Sequence, residues 1–516
     1  MNKKNILILL FLVLFSVPSI FSLLHPGFFQ SDDGEWMVIR FSAFHQALRD
    51  GQFPVRFLGR LNSGYGYPVA NFLYPGFMYL AEPVKFLGIG FADAIKIVLG
   101  ISMIGSAVFT YLWLSKIFNK TSAFIGSLFY LYTPYHLFDL YKRGSVGEVL
   151  ALAIVPFILW QIERRSFFWI TLGIAFLILS HNTLAVLFLP IIVVYLSLKR
   201  ISLIHNSLFI ILLSLGLSAF FWVPAVFELP YVRFSQVSVS DFSLYFAPIE
   251  LIGISTIIVL VFISFYIYEV LAPKVQPWSR LNLKFILMTL LSLLSIFFSS
   301  KISLFFWNYI PSSFIQFPFR LLSYLPLSLA FLSAFIIFQQ KGKKLIIVSL
   351  VLLAVLSFSV FPYLKPAEFF DKGEGFYSTN EGTTTVADEY LPKWVKQKPT
   401  EHFKEKVQIA QGVSEINNLV YNSKNISFNI DSQTDSKVRI NTIYYPGWEA
   451  FVDGNKSSIQ YQNDQGVMEL FVPQGEHLVK LSFSETPLRI SADIISILSM
   501  MVLVIFFVRR PRLFVK

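Results

Sequence analysis

Three carboxylates stand within four residues at Asp32-Asp33-Gly34-Glu35, a few positions beyond a long apolar run from Asn5 to Leu24. Ionisable groups at the mouth of a membrane helix are costly unless they bind, ionise or react with something there. Crowded carboxylates repel one another, which favours one of them accepting a proton as a general base. Three more polar groups sit at the ends of apolar runs: Arg143-Gly144-Ser145-Val146-Gly147-Glu148, His181-Asn182, and Gln316-Phe317-Pro318-Phe319-Arg320. Each has a plain structural reading as well. Glu148 can cap a helix through the macrodipole, His181-Asn182 can be a satisfied hairpin, and Arg320 can reach the headgroups. Arg143 and Arg320 also suit a phosphate, since guanidinium donates paired hydrogen bonds to its oxygens. Tyr67 and Asn71 can stack on or hydrogen-bond a polar ligand, although an interfacial aromatic belt explains Tyr67 equally well. A magnesium or manganese ion held by Asp32, Asp33 and Glu148 is a further possibility, because hard divalent cations take oxygen ligands.

The elements that must position these residues are membrane helices. The chain has 516 residues, 55% hydrophobic and 14% charged, with 56 Phe and a mean hydropathy of +0.62. That composition belongs to a polytopic membrane protein, so the net charge of +11 is no nucleic-acid footprint. The absence of cysteine removes disulfides, thiolate metal sites and Cys nucleophiles. Apolar runs of spanning length recur about twelve times: 5–24, 94–115, 122–138, 148–162, 167–180, 183–198, 207–227, 249–271, 283–299, 321–338, 345–361 and 490–508. The first, preceded by Lys3-Lys4, reads as a retained helix rather than a cleaved signal.

The basic positions decide the orientation. Lys116, Lys120, Arg164, Arg165, Lys199, Arg200, Lys274, Arg280, Lys341, Lys343, Lys344, Arg509, Arg510 and Arg512 fall on one side if 71–90 is interfacial or re-entrant. Both termini are then cytoplasmic, and residues 25–93 form a long first outer loop. All the polar groups above lie on that outer face of the plasma membrane. From Tyr363 to Pro487 the chain carries 12 Lys and Arg against 17 Asp and Glu, whereas the remainder carries 30 against 14. An acidic exported domain between basic inner loops fits that asymmetry. The expected division is therefore a multispanning unit, 1–362, an exported β-rich domain, 363–487, and a final helix with basic tail, 488–516.

Within that domain Ile426, Phe428 and Ile430 alternate with polar residues, as do Val479, Leu481 and Phe483. Asp453-Gly454 is a two-residue hairpin signal. A small antiparallel sandwich follows, with 365–397 as irregular linking structure.

The run from Asp33 to Arg40 and on through His45-Gln46-Ala47-Leu48-Arg49-Asp50-Gly51-Gln52-Phe53-Pro54 resembles bacterial proteins of the GT-C glycosyltransferase superfamily. So do Gly64-Tyr65-Gly66-Tyr67-Pro68 and Asn71-Phe72-x-Tyr74-Pro75. The similarity is to the branch labelled 6-pyruvoyl-tetrahydropterin-synthase-related. The Arg143–Glu148, Ser180–Asn182 and Gln316–Arg320 segments are similar to that branch too. Tyr444-Tyr445-Pro446-Gly447-Trp448 with Gly475-Glu476-His477 resembles the exported domain of related proteins. The resemblance implies a GT-C-like membrane fold of about twelve helices. It implies transfer of a sugar from a polyprenyl-phosphate donor to an envelope glycan, lipid or protein acceptor. It places the acid on Asp33, with Asp32, Glu35 and Glu148 as further catalytic candidates. Arg143, His181, Asn182, Gln316, Arg320, Tyr67 and Asn71 would then bind substrate. Some members carry a His soon after the acid, where this chain has Trp36 and Met37. Two other classes remain open: a flippase for a lipid-linked saccharide, and a non-catalytic envelope scaffold.

Overall fold

The computed structural model describes residues 3–198, 204–236, 242–271, 283–309, 315–383 and 388–509. Lys199, Arg200, Lys274, Arg280, Arg510 and Arg512 lie outside these residues. Among the described residues, six helices are long and apolar enough to cross a membrane: Ile6–Leu24, Phe91–Leu114, Val146–Glu163, Pro318–Phe338, Gly342–Tyr363 and Pro487–Val508. Two more pairs qualify only together. Ser207–Leu217 with Ala219–Phe227 bends by 75°, and Leu283–Ser299 with Lys301–Trp307 by 77°.

Among the described residues the count is thus six to eight, and the twelve that apolar runs suggest are not confirmed. Phe167–Ser180, Asn182–Leu198 and Ile254–Glu269 are helical but shorter than a full span. At about 1.5 Å per residue, the 14 residues of Phe167–Ser180 fall well short of a hydrocarbon core of about 30 Å. The run 122–138 breaks for a local reason. Its helix, Lys120–Leu131, stops before Pro134, which forces Thr133 into an extended conformation. A wide turn of helix, Phe138–Arg143, follows and ends on left-handed Gly144.

The first loop carries two helices, Gly34–Arg49 and Gly76–Phe86. The second has 11 residues, too few to span, and buries Phe77, Met78 and Ala81 against the bundle. Phe28-Phe29 pairs antiparallel with Phe369-Phe370, tying this loop to the segment after Tyr363.

Two antiparallel sheets complete the chain. The five-stranded sheet runs Ser414–Tyr421, Asn425–Ser432, Gly475–Phe483, Trp448–Val452, Asn455–Ser457 in spatial order. The three-stranded sheet runs Val407–Gln411, Ser436–Ile443, Val467–Val472. Ile426, Phe428 and Ile430 are buried while Asn425, Asn429 and Asp431 are exposed, the alternation a half-buried strand requires. Val452 pairs with Asn455 across Asp453-Gly454, both at positive φ, as a tight hairpin demands.

Two buried ion clusters fasten this domain to the helices. Arg489, at the start of the last helix, donates to both oxygens of Glu228 at 2.8 and 2.7 Å. Tyr445, from the connection between strands Ser436–Ile443 and Trp448–Val452, and Asn71 from the first loop also donate to Glu228, at 2.9 and 2.8 Å. Arg56 meets Glu485 and Asp493, each at 3.2 Å, and the Phe220 carbonyl at 2.7 Å. At the opposite end of the helices, Lys284 and Tyr195 converge on Glu163 at 2.6 and 2.5 Å, so that end is not purely basic.

Candidate active site

A cavity of about 760 Å³ opens where the site-bearing helix ends meet. Its polar end holds Asp33, Arg40, Arg143, His181, Asn182, Gln316, Arg320 and Glu389. Its other wall is apolar, formed by Leu189, Leu215, Phe221, Trp222, Val226 and their neighbours. Val226 is among the residues whose side chains also reach the exterior.

Asp33 precedes helix Gly34–Arg49 without using its side chain as a cap. That duty falls to Ser31, whose hydroxyl accepts from the Gly34 amide at 3.2 Å. The Asp33 carboxylate is therefore left for the cavity, with the helix amides lending partial positive charge. Its backbone is pinned by hydrogen bonds from Asp32 to the Lys142 carbonyl, 2.9 Å, and from Asp33 to the Arg143 carbonyl, 2.8 Å. Gly144 permits this approach. A Cβ there would stand 2.4 Å from Ser31 Oγ and 2.7 Å from the Gly34 nitrogen, at a φ of +62°.

Behind the cavity, Glu148 is fully buried. Its Oε1 accepts from Arg143 Nη1 and, at 2.9 Å, from Arg320 Nε; Tyr135 donates to Oε2 at 3.1 Å. Asp139 takes a second bond from Arg143 Nη1 at 2.8 Å. Glu148 is thus neither a helix cap nor a residue of the cavity wall: it is the counter-ion that orients two guanidinium groups. Arg320 does not reach for headgroups either. It is 3% exposed and bonds Gln316 Oε1 at 3.1 Å and the Ile315 carbonyl at 2.8 Å. Phe317 and Phe319 stack 5.3 Å apart and lie 5.2 Å from Arg320 and 5.3 Å from Arg143 respectively. This packing fixes both planes. Among the described residues, Arg143 Nε and Nη2 and Arg320 Nη2 make no hydrogen bond, so these donors remain for a ligand.

His181 combines both readings open to it. Its Nδ1 accepts from the Leu184 amide at 3.2 Å, ordering the hairpin. That bond leaves the ring proton on Nε2, 3.6 Å from Glu148. Tyr74 packs on the ring at 4.6 Å, and Gly147 makes room for Tyr74, since a Cβ there would lie 2.1 Å from its ring. Asn182 donates to the Phe72 carbonyl at 3.1 Å, while its Oδ1 is buried without a partner.

The remaining predicted residues do not line the cavity. Asp32 pairs with Lys142 at 2.9 Å on the surface, and Glu35 pairs with Lys372 at 2.5 Å. Tyr67 accepts from the Tyr390 amide at 3.0 Å and so positions a cavity residue instead of forming the wall. Asn71 belongs to the Glu228 cluster. A cation shared by Asp32, Asp33 and Glu148 does not fit, because Asp32 is engaged outside and Glu148 is committed to arginines. Among the described residues no group of three or more His, Asp and Glu could hold a metal ion.

Two cavity residues carry no catalytic or binding role in the sequence reading. Arg40 is buried, donates to the Thr383 carbonyl at 3.3 Å, and leaves Nε unpaired. Glu389 arrives from the segment read as irregular linking structure. Burial pushes its carboxyl up to about 7, with Arg40 opposing and Asp33 and Asp388 reinforcing the shift. The helical spacing of Asp33 and Arg40 offers one hint for Arg40; nothing periodic surrounds Glu389.

No family profile matches the sequence, and no curated protein does. Solved structures do. The mycobacterial arabinofuranosyltransferase AftD is similar at a TM-score of 0.47 and 14% identity, over 73% of this chain and 28% of AftD. A mutant form of AftD gives 0.48 and 14%, over 72% and 29%. This chain spans less than a third of that protein's length.

Proposed function

We propose that this protein is a membrane glycosyltransferase of GT-C type. It moves a sugar from a polyprenyl-phosphate donor to a cell-envelope acceptor on the outer face of the plasma membrane. The observation that carries the reading is the two-sided cavity. One end offers a carboxylate and two pre-oriented guanidinium groups; the other is an apolar wall reaching the exterior of the helices. Such a chamber suits an amphiphile with a phosphate between a sugar and a hydrocarbon chain.

In this reading Arg143 and Arg320 bind the phosphate through donors that Glu148 does not use. Asn182 Oδ1 accepts from a sugar hydroxyl, and His181 Nε2–H and Gln316 define the polar wall. Asp33 takes the acceptor hydroxyl proton as the new bond to the anomeric carbon forms. The bond from that carbon to the phosphate oxygen breaks, and its electron pair leaves with the lipid phosphate. Because the leaving group is a phosphate held by cations, no strong general acid is needed.

The test is release of lipid phosphate from radiolabelled polyprenyl-phosphate sugars by purified protein in lipid. Asp33→Asn is expected to lower turnover by at least about 100-fold with unchanged melting. Equal release from both proteins would remove Asp33 as the base.

A further inference from the structure

Four aromatic rings gather outside the cavity: Tyr231, Trp394, Tyr444 and Tyr461. Tyr444 and Tyr461 stack with centroids 4.1 Å apart and planes within 10° of parallel. Trp394 lies 5.5 Å from Tyr461 and 6.0 Å from Tyr444, and Tyr231 lies 6.3 Å from Trp394. None is buried: Tyr231 is 42% exposed and the other three are half-buried. The backbone beneath them is fixed. Trp394 Nε1 donates to the Tyr444 carbonyl at 3.0 Å, and the amides of Lys396 and Gln397 donate to the Asp464 carbonyl at 2.8 and 2.9 Å. Among the described residues the hydroxyls of Tyr231, Tyr444 and Tyr461 make no hydrogen bond. The rim is polar: the loop after Tyr461 reads Gln462-Asn463-Asp464-Gln465, and Lys396 pairs with Asp464 at 3.8 Å.

The cluster is continuous with the cavity. Val232 pairs antiparallel with Pro392. On either side of that pair, the Lys393 amide donates to the Tyr231 carbonyl at 2.9 Å and the Arg233 amide to the Leu391 carbonyl at 3.1 Å. At one end of this short ribbon Phe234 stacks on Tyr390 at 5.7 Å, and both line the cavity. At the other end stand Tyr231 and Trp394. Three positions separate Tyr231 from Phe234, a reach of at most about 11 Å.

We propose that these four rings bind the sugar rings of a glycan chain, and that this chain is the acceptor whose end enters the cavity. The C–H bonds on the flat face of a sugar carry partial positive charge, which suits the negative face of an aromatic ring. Tyr and Trp present that area with few rotatable bonds, so little entropy is lost on binding. The unused phenol hydroxyls and the amides of Gln462 and Gln465 supply donors and acceptors for sugar hydroxyls. Exposed Tyr and Trp also form belts at membrane interfaces. A belt would be flanked by aliphatic side chains, whereas amides and an ion pair surround these rings. Calling the glycan the acceptor rests on the function proposed above; its binding to the rings does not.

Binding is read without any donor, by saturation-transfer NMR on the full chain in lipid nanodiscs. The probes are neutral oligosaccharides of glucose, mannose, galactose, arabinose and xylose. At least one series is expected to bind, more tightly as the chain lengthens. Tyr461→Ala and Tyr231→Ala should each weaken that binding at least about tenfold with unchanged melting, and Tyr461→Phe should keep most of it. Binding of none of the series, or equal binding by wild type and both alanine variants, overturns the proposal. Should one alanine variant not fold, the other decides. Quenching of Trp394 emission, taken as wild type minus Trp394→Phe, by lipids brominated on their acyl chains would put the rings in the bilayer and overturn it as well. Ring-dependent binding without sugar transfer would sink the proposed function and leave the glycan surface standing.

Discussion

Glu148 illustrates how a residue whose position suggests chemistry can be engaged entirely within the protein. Its position at the head of an apolar helix marks it for chemistry, yet every oxygen is spent inside the protein. Removing the charge leaves Arg143 bonded to Asp139 and leaves Arg320 with no hydrogen-bonded carboxylate among the described residues. Glu148→Gln is expected to cost about 3–5 kcal/mol, seen as a lower melting temperature in lipid. Asp33→Asn should not show that loss. A second residue-scale expectation concerns Lys406, which donates to the carbonyls of Gly64 and Asn441 at 3.0 and 2.8 Å. Burial lowers it from 10.5 to about 7, against a small opposing pull from Glu381. Between those values the unfolded chain holds a proton the native state has lost, so stability rises with pH from about 7 to about 10.5. Below about 7 both states are charged and this contribution is flat. Unfolding at several alkaline pH values should show the slope in wild type and lose it in Lys406→Met. Neither effect is visible in sequence, where Lys406 is one basic residue in Lys404-Glu405-Lys406.

At the scale of elements, what can be read in the sequence is where apolar runs begin and end. What cannot be read is whether each runs straight. Ser207–Leu217 and Ala219–Phe227 form one hydropathic run and two helices at 75°, with the break at Ser218. Its hydroxyl bonds back to the Ser214 carbonyl at 3.0 Å, a bond that bends helices. The bend is what delivers Phe221, Trp222 and Val226 to the cavity wall. The Arg143–Glu148 turn is more legible, because Gly144 and Gly147 stand between its two charged residues. Gly144→Ala is expected to separate this turn from Asp33, since 2.4 and 2.7 Å contacts with Ser31 and Gly34 must open. Both turnover and melting temperature should fall, whereas Gly88→Ala, at a φ of +87° with nothing within 4 Å, should cost only backbone strain. A melting shift equal in the two variants would show that the close approach carries no weight.

For the whole molecule, the alternating strands made the C-terminal sheets readable, but their attachment was not. Sequence cannot tell that Arg489 and Glu228, 261 positions apart, form a buried pair that Tyr445 and Asn71 complete. Arg489→Met leaves Glu228 buried with only neutral donors. The expected outcome is loosened docking: faster proteolysis between 364 and 406, with the strand core of 407–483 surviving as a resistant fragment. Limited proteolysis in lipid reads this directly, and an unchanged digestion pattern would show that the pair does not carry the attachment.

Glu389 and Tyr390 enter the cavity only after the chain has left its fifth long helix, Gly342–Tyr363. A ribosome that has delivered everything up to residue 362 has therefore built a chamber with one wall missing. Until the later segment folds back, Asp33 and the arginines are in place but Glu389 and Tyr390 are not. Chains stalled or clipped before Glu389 are therefore expected to carry an open groove in place of the enclosed cavity.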